Sequence, residues 1–147
     1  MATGNAIYPL WKHALMRELD TDKSLDQGET DPALGCYVSL VNIDAPGGYV
    51  YSEGHEFYDQ VAGHVVGTPQ LLTSTSVMAR IFAGDTVVYT NLTGSKISAA
   101  VITRQNAGTS DTWRLVLYED TGIVGVPMIP SGGNLILEWN TQGIFGL

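Results

Sequence analysis

Cysteine occurs once in this sequence, at Cys36, which excludes an internal disulfide and a cysteine-rich zinc site. It opens the apolar run "CYVSLVNI", where a free thiol reads as a small buried hydrophobe. Charge is scarce as well. Charged residues make up 15% of the chain, against roughly a quarter in ordinary globular proteins. Only seven lysines and arginines face fifteen aspartates and glutamates, for a formal net charge of -8. A nucleic-acid binder needs a basic footprint to neutralise phosphates, so no nucleic-acid partner is expected. An anionic membrane would repel the chain too. No apolar run approaches a transmembrane length, and the first residues lack the basic and long apolar segments of a signal peptide. The expectation is a protein made in a cytoplasm that leaves it only as part of something larger.

What is present is glycine, threonine, serine and asparagine, with 44% hydrophobic residues over 147 positions. That suits one β-rich domain, 1–147, large enough for its own core. "YPLWKHALMREL" is the one good helix candidate, over Tyr8 to Leu19. Pro9 fits a first helical turn, and Trp11, Leu15 and Leu19 recur at i, i+4, i+8 as an apolar stripe. "DTDKSLDQGETDPALG" follows as an exposed acidic loop. From Cys36 onward the period is mostly two. "CYVSLVNI" is apolar on both faces, as in a central strand, and a short helical turn is expected around Glu56 to Val61. In "LLTSTSVMARIF", Leu71, Thr73, Thr75, Val77, Ala79 and Ile81 share one face of an extended segment. "TVVYTNL", "KISAAVITRQ", "WRLVLYED" and "LILEWN" continue the pattern, with Trp113, Leu115 and Leu117 on one face and Leu135, Leu137 and Trp139 inward. About seven short strands with glycine-rich turns after one helix describe a mainly β fold, an antiparallel β-sandwich or a jelly-roll-like barrel.

The most enzyme-like stretch is "EGHEFYDQVAGH", with Glu53, His55, Glu56, Asp59 and His64. A zincin helix needs two histidines one turn apart, and here the second lies nine residues on. Capping and surface hydrogen bonds are the simpler roles. Asp20, Asp22, Ser24, Asp26 and Asp31 are spaced somewhat like a calcium loop, but Leu25 and Asp31 occupy the positions that need glycine and a bidentate glutamate. There is no G-x-S-x-G elbow and no phosphate-binding glycine loop. No enzyme activity, metal or cofactor is expected. Trp113 and Trp139 read as core or interface anchors rather than sugar platforms.

The last residues, "PSGGNLILEWNTQGIFGL", run from a turn through a strand into a near-apolar tail. Alternation makes Leu135 to Trp139 an expected interior member of the sheet. Ile144, Phe145 and Leu147 should not be left in water. They close the protein's own core or dock onto a neighbour, as does the Trp11, Leu15, Leu19 stripe.

Several segments together carry a family likeness. They are "IYPLWKHAL", "YVSLVN" followed by "YVYSEGHEFYDQV", "GDTVVYTNLTGSKISAAVI", and "LVLYEDTG" with "VPMIPSGGNLILEWNTQGIFGL". Nearly end to end, the chain resembles small tailed-bacteriophage proteins encoded among virion structural genes. The acidic insert from Asp20 to Pro32 and Asn134 in place of an aspartate depart from that pattern. The resemblance implies a virion protein and carries over no catalytic or binding residues. The leading expectation is a capsid decoration (cement) protein on the head shell, a homo-oligomer (dimer or trimer) whose partners are the major capsid protein or other virion proteins. A tail, fibre or head–tail connector component is the alternative. A small glycan-binding module or enzyme is the third.

Overall fold

The computed structural model describes residues 4–16, 25, 32–44, 46–139 and 142–146. Among them the strands are β1 (Ala6–Ile7), β2 (Cys36–Val41), β3 (Val65–Leu71), β4 (Ser76–Met78), β5 (Ile81–Ala83), β6 (Val87–Tyr89), β7 (Ala99–Arg104), β8 (Arg114–Glu119), β9 (Leu135–Leu137) and β10 (Phe145–Gly146). Helix α1 spans Pro9–Met16 and the one-turn helix α2 spans Asp59–Ala62. The fold is mainly β and sandwich-like, and every strand pair is antiparallel.

The main sheet has the order β1-β8-β7-β2-β3. Its middle is covered on both faces: all six residues of β7 are buried, as are four of the six in β8 and five of the six in β2. Such strands must be apolar on both sides, which "CYVSLV" and "AAVITR" satisfy. Arg104 is the charged exception, and its Nε donates to the Leu34 carbonyl at 2.6 Å. A register shift in the β7–β8 ladder leaves Val116 as an extra residue, and its carbonyl accepts the Tyr8 N–H at 2.9 Å. That bond sets where the chain enters α1. The outer strand β3 carries Pro69, tolerated because an edge strand has no second partner to donate to.

β6 and β9 form a separate two-stranded sheet. Val87, Tyr89, Leu135 and Leu137 face the core, and the Tyr89 hydroxyl bonds the Val38 carbonyl of the main sheet. Inward Leu135 and Leu137 agree with the alternation of "LILEWN". The expected interior position in the sheet does not hold. Ile136 and Glu138 face outward, so β9 has one apolar face and can cover a core but cannot be covered on both sides.

The segment from Leu71 to Phe82 is not one extended strand. β3 ends at Leu71, and Leu72 turns fully inward, its N–H donating to the Cys36 carbonyl at 2.9 Å. The chain then reverses at Ala79 and Arg80, both at positive φ (51° and 67°), to give the β4–β5 hairpin. The expected shared face therefore breaks up: the hairpin pairs Val77 with Phe82 and Met78 with Ile81, which puts Val77 and Ile81 on opposite faces, and both are exposed while Thr75 is buried.

α1 starts at Pro9 as expected, with Trp11 and Ala14 inward and Lys12, His13 and Met16 outward. The described helix stops at Met16; the Leu15 side chain, Leu19 and, of the acidic loop, residues 20–24 and 26–31 lie outside the described residues. No helix among those described is long and apolar enough to cross a membrane.

Candidate functional site

The histidine-bearing stretch is held in place by a buried tyrosine pair. Tyr8 and Tyr49 hydroxyls lie 2.8 Å apart, and the Tyr49 hydroxyl lies 2.7 Å from His55 Nδ1. If Tyr8 donates to Tyr49 and Tyr49 to His55, each proton is used once and Nδ1 acts as an acceptor. Burial pushes the Tyr49 hydroxyl up to about 12 and raises Tyr8 further, so both remain protonated donors at neutral pH. Burial also lowers the His55 pKa, which favours the neutral ring this arrangement needs. His64 flanks the other side of Tyr49 and its Nδ1 bonds the Gly47 carbonyl at 3.0 Å. The cluster ties the loop between β2 and α2 to the main sheet.

The acidic members of the stretch are dispersed. Phe57 bridges Arg114, which brings Glu56 within 2.6 Å of the Arg114 guanidinium. Asp59 accepts a hydrogen bond from Ser110, and Glu53 is exposed. Among the described residues no group of three or more histidine, cysteine, aspartate or glutamate side chains is placed to hold a metal ion. The indole N–H groups are both satisfied, Trp113 by Gly108 and Trp139 by Asp85.

The anchor candidates meet one another. Trp11, 4% exposed, packs edge-on against Phe145 with ring centroids 5.7 Å apart, and Phe145 stacks at 5.5 Å on Phe82. The Ile144 N–H donates to the Phe82 carbonyl at 2.7 Å, which starts the β5–β10 pairing. Gly143 makes this approach possible: it sits at φ +121°, and a Cβ there would lie 2.4 Å from Ile81 Cγ2. Helix and tail thus pack within the chain, Ile144 and Phe145 half-buried; Leu147 lies outside the described residues.

The outer surfaces are where sequence reading fell short. Val88 and Ile136 form an exposed apolar pair across β6 and β9. Met78 is 74% exposed beside Val77 and Ile81 on the β4–β5 hairpin. Next to that hairpin, a cleft of about 190 Å³ is lined by Asn5, Glu119, Glu138, Trp139, Gly143 and Ile144. Burial raises the pKa of Glu119. Glu119 ends β8 and Glu138 follows β9, so no spacing rule could have paired them. No family model matches the chain, and no curated protein matches it.

Proposed function

We propose that this chain is a structural protein of a tailed-bacteriophage particle, a capsid decoration protein that binds the outside of the head shell through the major capsid protein. It is made in the host cytoplasm and resides in the virion. The observation that carries the reading is the exposed apolar surface on strand faces, Val88 with Ile136 and Met78 with Val77 and Ile81, in a chain with few charges. Such patches mark surfaces that a partner covers. The family likeness of the segments above supplies the virion context, and the net charge of -8 favours protein partners over nucleic acid.

The test is co-sedimentation of the purified protein with expanded shells that lack it. Saturable binding, weakened by Val88→Ser or Ile136→Ser, supports decoration. Binding instead to isolated tails or connectors would favour the tail or head–tail reading. Binding to neither would remove the virion reading.

A further inference from the structure

The β4–β5 hairpin presents an unusual tip. Two-residue turns of this hand are normally built from asparagine, aspartate and glycine, because both central residues need positive φ. Here they are Ala79 and Arg80, held at 51° and 67°. Strain of this kind persists where the surroundings require the geometry. What the turn achieves is to project Arg80 beside exposed Met78 and Ile81. Arg80 has no ion pair or hydrogen bond among the described residues, whereas Lys96, Arg104 and Arg114 each have one. A guanidinium beside exposed apolar side chains has the composition of an interface hot spot.

The complementary feature lies next to it. Glu119 and Glu138 line the cleft without a hydrogen-bond or ion-pair partner among the described residues, and Trp139 and Ile144 supply apolar walls. A guanidinium suits such a slot because it can bond carboxylates and stack on an indole at once. The cleft and the hairpin share a wall, since Gly143, which lines the cleft, abuts Ile81 of β5. Through that shared wall the hairpin adjoins the cleft, and a second copy turned by a twofold axis would present its own Arg80 to this cleft and receive this one in return. Self-complementary patches of that kind are what an isologous dimer requires.

We propose that this face is a twofold dimer interface, in which the Arg80 hairpin tip of one copy enters the Glu119–Glu138–Trp139 cleft of a second copy and the reverse. The dimer deepens the expected homo-oligomer of the proposed function, but it needs no shell and is measured on the isolated chain.

Sedimentation equilibrium over a dilution series tests the proposal. The wild-type chain is expected to show a reversible monomer–dimer equilibrium. Arg80→Glu and Glu138→Arg should each weaken it by roughly tenfold or more, and the double charge swap should recover most of the loss. Both positions are exposed, and circular-dichroism melts establish that each variant folds; Met78→Gln, also exposed, should weaken the dimer independently of charge. A wild-type chain that stays monomeric throughout the series would overturn the proposal. So would an Arg80→Glu dimer as tight as wild type, or a double swap no tighter than the single variants. None of these outcomes bears on shell binding, which co-sedimentation reads separately.

Discussion

Trp11 on α1 and Phe145 on β10 meet edge to face, centroids 5.7 Å apart and ring planes at 87°, joining the two ends of the described chain in one aromatic contact. This geometry places the positive ring edge of one partner on the negative face of the other. Phe82 completes the stack from β5. Trp11→Ala should therefore cost about 3–5 kcal/mol of stability. Phe145→Ala, at a half-buried position, should cost less. A double-mutant cycle between the two, read from urea unfolding, should give a coupling of roughly 0.5–1.5 kcal/mol. Zero coupling would mean the rings do not hold each other.

Gly143 permits that contact. With φ at +121° and Ile81 Cγ2 in the space a Cβ would take, Gly143→Ala should displace the tail from β5. The expected result is a lower melting temperature together with faster amide exchange at Ile144, whose N–H bonds the Phe82 carbonyl. Unchanged protection there would contradict the pairing.

Tyr49→Phe removes a hydroxyl that bonds both Tyr8 and His55 and leaves the buried Tyr8 hydroxyl without that partner. A loss of about 1–3 kcal/mol is expected. Tyr8→Phe in the same background should recover part of it, because the orphaned hydroxyl is then gone.

His55 gives a pH dependence of fixed sign. Its folded-state pKa lies below the ordinary 6.5, so the folded chain binds protons less readily than the unfolded one. Stability is then highest above 6.5 and is lost as pH falls from 6.5 through the folded-state value. His55→Gln should flatten that part of the stability profile. A wild-type profile that rises as pH falls through this window would contradict the assignment.

The parts of the fold that could be read from sequence are those where neighbours along the chain suffice. The doubly apolar runs of β2 and β7, the one-sided alternation of Leu135 and Leu137, Pro9 at the start of α1 and the helical turn near Val61 all depend on local period or local sterics. The Ala79–Arg80 reversal was hidden because neither residue is a usual turn former, yet both sit at positive φ. The candidate surface was less legible still. Trp11 and Phe145 each announced burial, but not that each would bury the other. Glu119 and Glu138 lie 19 residues apart in sequence, and only the folded chain sets them around one cleft.

If the chain decorates a phage head, the particle must carry many copies of it, and that number can be counted. Quantitative mass spectrometry of purified virions of the phage that encodes it, scaled to the major capsid protein, should find on the order of hundreds of copies, as symmetry-related shell sites require. A dozen or fewer copies would place it in the tail or neck, and its absence from purified particles would contradict the account altogether.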